Sequence, residues 1–263
     1  MTFAAIIPVF NPDNVVHDVI SETARHVHTI IIVDDGSTSP YIPSLNDEKV
    51  ILLRNETNQG YASAVKRGIE RASEAGADCF VTLDGDGEHD PDDIPMFKTM
   101  LRAGYADLII GNRYADTGVP SAKKAIAEAV SQHFEYMTGY KYFDPLCGFR
   151  AAHLPSIRKL SLGASGFGLC IELLAKASGR LRVGELPIAT KISDNKAEGI
   201  VTRKELSDNL RAWEGVNEKL MNEVCCETWY KLKSGDAIDL RYDGCDVRFE
   251  PVDPTTYRVT LGA

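Results

Sequence analysis

The chain has 263 residues, 44% hydrophobic and 25% charged, with a formal net charge of -9. That length suits one sizeable core, or a principal domain with a small appendage, and the composition excludes a disordered chain. The acidic balance argues against broad attraction to nucleic acid or anionic lipid, so an anionic ligand must meet a local basic pocket.

The first half alternates short β-branched runs with helical segments. Strands are predicted at "FAAIIPV", "TIIIVD", "KVILL", "CFVTLD" and "ADLIIGN", and helices over residues 13–27, 60–75 and 92–103. Strands apolar on both faces and separated by helices imply a mostly parallel sheet covered by helices on each side. In such α/β sheets, ligands gather at the carboxyl ends of the strands. The polar clusters fall there: "PVFNPD", "DDGSTS", "DGDGEHD" and "GNRY".

Residues 120–139 carry Ile126, Val130, Phe134 and Met137 at helical spacing. This stripe has two readings, packing against the sheet or facing lipid or a partner. After "FDPLCGFRA" come a helical pattern over 166–178, a strand at "RVGELPI", a polar loop at 191–199 and a helix from about 203 to 223. From about residue 227 the pattern turns to period-two alternation with "DG" and "DP" turns. A main domain at 1–226 and a small antiparallel β appendage at 227–263 are therefore expected.

Six cysteines without a CxxC pair or zinc spacing point to reduced thiols. The N-terminal "MTFAAIIPVF" has no basic region of a signal peptide, and no apolar run approaches the ~20 residues of a membrane span. The expected location is cytoplasmic, either soluble or peripheral on a membrane.

In "VTLDGDGEHDPDDI" six acidic side chains occupy ten residues. Asp90, Asp92 and Asp93 are explained by capping and opening the helix after Pro91. Asp84 and Asp86 are not, because two carboxylates at the end of a buried strand repel unless a cation compensates. Gly85 and Gly87 leave the backbone free to bring both near a ligand. Hard oxygen donors of this kind suit Mn²⁺ or Mg²⁺ shared with substrate phosphates. His89 reads as a helix-entry residue rather than a ligand. "VDDGSTS" forms a turn able to hydrogen-bond a base or ribose. At Gly60, "NQGYASAVKRG" opens a helix that reads equally as an anion site or a capped end.

Together the motifs "IIPVFN", "VDDGST", "LDGDGEHDP" and "GNRY" resemble glycosyltransferase family 2, inverting enzymes of GT-A fold that use nucleotide-diphosphate sugars. "DPLCGFRA", "FGLCIELL" and "GELPI" look like later motifs of its polyprenyl-phosphate branch. The resemblance covers about 220 residues and stops before the β-rich tail. It places Pro8, Val9, Asn11, Asp34, Asp35, Gly60, Asp84 and Gly85 at the donor. It assigns the metal to Asp86, with Glu88 as a further ligand, and the acceptor phosphate to Arg113 and Arg150. Three positions depart from the common pattern: "NPD" in the first motif, Glu88 in place of Gln and Cys147 in place of Ser.

A departing diphosphate builds charge that a metal neutralises. A phosphate monoester acceptor, with second pKa near ~6, arrives ionised and needs cations rather than a base. Transfer to a hydroxyl acceptor needs a base, and Glu172 is the acid in "SGFGLCIELL", with a structural role equally open. A non-catalytic nucleotide-sugar binder is the alternative from another class. Lys191, Lys196, Arg203 and Lys204 read either as a lid over anionic substrate or as a solvated face. The tail aromatics Trp229, Tyr230, Tyr242 and Tyr257 read as packing residues.

Overall fold

Short runs of Ile, Val, Phe and Ala, apolar on both sides, pair into a buried sheet because each strand has two faces to cover. The computed structural model describes residues 1–44, 48–115, 122–190, 200–202, 238–242, 245–253 and 256–261. The chain divides into two compact units: Met1–Arg113 with Cys147–Ser161 and Ala177–Lys191, and Tyr114–Leu146 with Leu162–Lys176 and Ile192–Ala263.

The first unit holds seven strands: β1 (Phe3–Val9), β2 (Thr29–Asp34), β3 (Val50–Arg54), β4 (Cys79–Thr82), β5 (Leu108–Asn112), β6 (Arg150–His153) and β7 (Val183–Pro187). They form one sheet in the order β3-β2-β1-β4-β6-β5-β7. Every pairing is parallel except those of β6, which runs antiparallel to both β4 and β5. The mostly parallel sheet and its first five strands agree with the sequence reading. The four-residue β6, "RAAH", carries little intrinsic strand preference and is held by neighbours on both sides, so local pattern did not reveal it.

Helices α1 (Val15–Thr23), α2 (Tyr61–Glu74) and α3 (Ile94–Arg102) cover this sheet. Phe3, Ala5 and Ile7 of β1 join Ile20 of α1 and Phe97 and Leu101 of α3 in one core. On the other face, α2 buries Ala62, Ala64, Val65, Gly68, Ile69 and Ala72. Its approach is close: a Cβ at Gly68 would lie 2.3 Å from Ile6 Cγ2. The entry to α3 is capped as expected, with the Asp92 N–H donating to Asp90 Oδ1 at 3.0 Å and Pro91 opening the turn. A short helix α5 (Leu154–Ile157) follows β6.

The second unit contains α4 (Ala122–Thr138), a 3-10 turn at Gly166–Gly168, α6 (Leu169–Ala177) and an antiparallel sheet. That sheet takes β8 (Ile200–Thr202), β9 (Ile238–Tyr242), β10 (Cys245–Asp253) and β11 (Thr256–Leu261) in the order β8-β11-β10-β9. The C-terminal antiparallel strands are thus present, joined by a strand from residue 200 onward. On α4, Phe134 is fully buried, with the edge of Tyr142 at 5.4 Å. The side chain of Ile126, the helix at 203–223, the boundary at 226/227, Trp229, Tyr230, and the cations Lys191, Lys196, Arg203 and Lys204 lie outside the described residues.

Overpacking a tight helix-to-strand contact costs about 1–3 kcal/mol. Gly68→Ala is therefore expected to lower the unfolding free energy by an amount in that range, read by circular dichroism as a lower urea midpoint at an unchanged m-value.

Candidate active site

Strand order reverses between β1 and β4, and the site grows from this point. β1 pairs with β2 up to Val9↔Asp34 but with β4 only up to Ile6↔Thr82. The Leu83 N–H donates to the Ile6 carbonyl at 3.3 Å, so the even residues of β1 face β4. At Pro8 the β4 strand has already left the ladder, and the missing N–H of proline costs nothing there. A crevice outside the carboxyl ends of strands at such a switch is where open α/β sheets bind ligands.

The turn after β1 is locked to the turn after β2. Asn11 has φ 46°, a left-handed conformation that Asn tolerates better than most residues. Its N–H donates to Ser37 Oγ at 2.9 Å, and its Oδ1 accepts from the Thr38 N–H at 2.8 Å. A cleft of about 370 Å³ opens beside them, lined by Asn11, Asp13, His17, Thr38, Tyr41 and Ile42 among others.

Asp34 is fully buried. Its Oδ1 accepts from the Ser37 N–H at 2.9 Å, and its Oδ2 accepts from the Tyr41 N–H at 3.1 Å and from Arg54. Burial pushes its proton affinity up, but the donors from Ser37, Tyr41 and Arg54 prevail and hold it below the usual carboxylate range. Asp35 is 4% exposed. Its Oδ1 accepts from Asn55 Nδ2 at 2.6 Å and the Gln59 N–H at 3.0 Å, and its Oδ2 from the Gly60 N–H at 2.7 Å. The amide at Gly60 therefore meets a protein carboxylate, and no side chain caps the start of α2. Both aspartates shape the crevice wall by holding its loops.

The loop after β4 is organised differently. The Asp84 N–H, past the last ladder bond, donates to His89 Nδ1 at 3.2 Å. The Asp84 side chain is 37% exposed and rests on Gly148, where an added Cβ would lie 2.9 Å from Oδ2 and 3.1 Å from the Tyr61 hydroxyl. Burial raises its proton affinity, and the negative charges of Asp86 and Glu88 add to this while His89 and Arg113 oppose it. Asp86 is exposed, and its Oδ1 accepts from the Glu88 N–H at 3.0 Å in a tight turn. Gly87 completes that turn at φ 77°, where a Cβ would also strike Val15 Cγ1 at 2.6 Å. Gly85 lies against Val16 and Val9, with its added Cβ at 3.1 and 3.3 Å.

The structure thus gathers Asp84, Asp86 and Glu88 at one strand end, with Arg113, just past β5, within electrostatic reach of Asp84. Among the described residues no three His, Cys, Asp or Glu side chains converge as a closed metal cage. The donor set does fit a hard divalent cation, which takes one or two carboxylates and completes its shell with phosphate oxygens and water. Asp86 and Glu88 are the residues able to hold it.

Two further expected residues make hydrogen bonds of their own. Arg150 is 3% exposed, and its Nε donates to the Cys147 carbonyl at 2.7 Å, bracing the turn that carries Gly148. In the other unit, Glu172 is 4% exposed and accepts from the Gly163 N–H, the Ala164 N–H and Lys176 Nζ at 2.8, 2.8 and 2.7 Å. Burial alone would raise its proton affinity, yet these donors lower it, which suits a structural anchor and makes a poor general base. Residue patterns did not single out Gly148 or Tyr61: Gly148 reaches Asp84 through the pairing of β6 with β4, and the Tyr61 hydroxyl comes to Gly148 from the start of α2. For Gly148→Ala we expect the Asp84 carboxylate to move and stability to fall by about 1–3 kcal/mol. A urea titration, together with the amide shift of Asp84 by NMR, checks this.

Comparison with known proteins places this geometry in a lineage. The UDP-N-acetylglucosamine–dolichyl-phosphate N-acetylglucosaminyltransferase of Methanococcus voltae is 31% identical over 210 residues, covering 70% of this chain and 84% of that protein. The undecaprenyl-phosphate mannosyltransferase of Micrococcus luteus is 28% identical over 213 residues, covering 73% of this chain and 86% of its own. Among solved structures, mannosyl-3-phosphoglycerate synthase from Rubrobacter xylanophilus shares the GT-A fold with a TM-score of 0.62 at 15% identity, covering 100% of this chain and 86% of that one. Glucosyl-3-phosphoglycerate synthase from Mycobacterium tuberculosis, solved with Mn²⁺, UDP-glucose and phosphoglyceric acid, gives a TM-score of 0.57 at 18% identity, covering 98% and 89%. A profile described as Glycosyl transferase family 2 matches residues 4–163, more than half of the chain, and the protein belongs to that family of glycosyltransferases.

Proposed function

We propose that the protein transfers a hexose, with inversion, from a nucleotide-diphosphate sugar of the UDP-glucose or GDP-mannose type to a polyprenyl-phosphate-like acceptor. The observation that carries this reading is the cluster of Asp84, Asp86 and Glu88 at the β1/β4 switch with Arg113 close by. Relatives named for dolichyl-phosphate and undecaprenyl-phosphate support the acceptor class. The fold shared with a structure that holds Mn²⁺ and UDP-glucose supports the donor class.

In this reading Pro8, Val9 and Asn11 form the nucleotide side of the crevice, and Asp34, Asp35 and Gly60 hold its wall in shape. Asp84, seated on Gly148 with Gly85 beside it, faces the donor sugar. Asp86, with Glu88, would hold Mn²⁺ or Mg²⁺, whose positive charge stabilises the departing diphosphate. An acceptor phosphate oxygen forms the new bond to the anomeric carbon from the opposite face. The bond from that carbon to the diphosphate breaks, and the nucleoside diphosphate leaves with the electron pair.

The acceptor phosphate is a dianion at neutral pH and has no proton to lose. Arg113 supplies it with a cation, and buried Arg150 keeps the neighbouring turn in place and adds positive charge. The saturated carboxylate of Glu172 favours this base-free chemistry over transfer to a hydroxyl. A lipid acceptor brings the chain to a membrane surface as a peripheral protein. Among the described residues no helix is long and apolar enough to cross a membrane.

Asp86→Asn is expected to lower kcat/KM for the donor by about 100-fold, a loss of about 2.7 kcal/mol in transition-state stabilisation, with the thermal midpoint near wild type. Steady-state kinetics with UDP-glucose and GDP-mannose in Mn²⁺ measure it, and chelation of the metal should reproduce the loss.

Acceptor chemistry is tested by pairing a short polyprenyl phosphate with its dephosphorylated alcohol. Only the phosphate should be glycosylated, and Arg113→Ala should raise its KM by tenfold or more, about 1.4 kcal/mol. Equal use of the alcohol would transfer the reading to a hydroxyl acceptor.

A further inference from the structure

We propose that His89 is the positioning residue for Asp84. This rests on the donor-binding reading of Asp84 given above. His89 is 2% exposed, so it meets no substrate directly. Its Nδ1 accepts the Asp84 N–H at 3.2 Å. A backbone amide only donates, so Nδ1 carries the lone pair and a neutral ring bears its proton on Nε2. That nitrogen lies 4.0 Å from Cys147 Sγ, a weak acceptor. The separation of 3.7 Å between Nδ1 and Asp84 Oδ2 is too long for a hydrogen bond, so the ring acts through the backbone of Asp84 rather than on its carboxylate.

The same ring also supports the surface on which that carboxylate rests. It packs at 5.2 Å against Phe149, which stacks at 4.6 Å on Phe97 of α3. Phe149 adjoins Gly148, the glycine directly under the Asp84 carboxylate. The backbone of His89 makes an antiparallel bridge to Thr190, which holds the residue in place. One buried imidazole therefore sets both the amide of Asp84 and the wall beside its side chain. An apolar residue of similar size would fill the slot but leave the Asp84 N–H without its acceptor, and the loop would turn to find another.

Two variants separate positioning from bulk packing. His89→Leu fills the slot without an acceptor, whereas His89→Asn keeps an acceptor oxygen at the Nδ1 position but is small and polar. Affinity is read by titration calorimetry with Mn²⁺ and either UDP-glucose or GDP-mannose, using whichever binds wild type more tightly. His89→Leu is expected to weaken binding by about 10-fold or more, as loss of a supporting partner does. His89→Asn should stay within about threefold of wild type although its thermal midpoint falls further than that of His89→Leu. Wild-type affinity in His89→Leu, or losses that simply follow the order of stability, would overturn the proposal. Long-range ¹H–¹⁵N NMR of the wild-type ring should show the Nε2-protonated tautomer, and the Nδ1-protonated form would overturn it as well. Asp84→Asn separates the two claims. Wild-type affinity there overturns the donor reading together with this role, whereas a loss there beside an unaffected His89→Leu overturns only the role of His89.

Discussion

Three carboxylates at the end of one buried strand repel each other, and the loop after β4 holds them close together. Asp84 sits between Gly148 and the loop that returns through Asp86 and Glu88, and both of those charges raise its affinity for a proton. Asp34, at the end of β2, has Arg54 in contact. At Asp84 the His89 ring and the positive charge of Arg113 oppose that rise. Carboxylates perturbed by like charges in this way are a feature that functional sites share.

The contrast among the acidic residues is informative. Asp34, Asp35 and Glu172 are all buried, and each has its oxygens met by at least three donors from surrounding loops. Buried carboxylates satisfied in this manner anchor backbone, since releasing any donor would leave unpaired charge inside the protein. Asp86 lies exposed on its turn, and Asp84 is open over more than a third of its surface. Residue type alone did not distinguish the two groups. Exposure of each carboxylate did.

The support beneath the site is a relay of small and aromatic groups. β6 inserts antiparallel between β4 and β5, which brings Gly148 and Phe149 under the carboxyl end of β4. Thr82 Oγ1 donates to the Gly148 carbonyl at 2.7 Å, and Arg150 holds the Cys147 carbonyl, so the turn that carries Gly148 is fixed from both sides. A crevice whose floor is fixed in this way can orient a substrate without reorganising, which is the condition for electrostatic stabilisation of a developing charge.

Much of this was legible in the sequence because the signals are local. Doubly apolar strands such as "TIIIVD" announce a parallel sheet, helical spacing places α1 to α3 between them, and "DGDGEHD" after a strand announces a polar ligand site at its end. The motif order was enough to identify the family, since each motif occupies a strand terminus and the strands follow one another in chain order. Tertiary structure alone decided what depends on residues distant in sequence. It inserted β6 beside β4, put Gly148 under a carboxylate 64 positions earlier, turned Glu172 into an anchor and buried His89 beneath Asp84. The physical reason is that hydrophobic period and turn chemistry act over a few residues, whereas burial, donor count and close approach are set by which chain segments the packed sheet brings together.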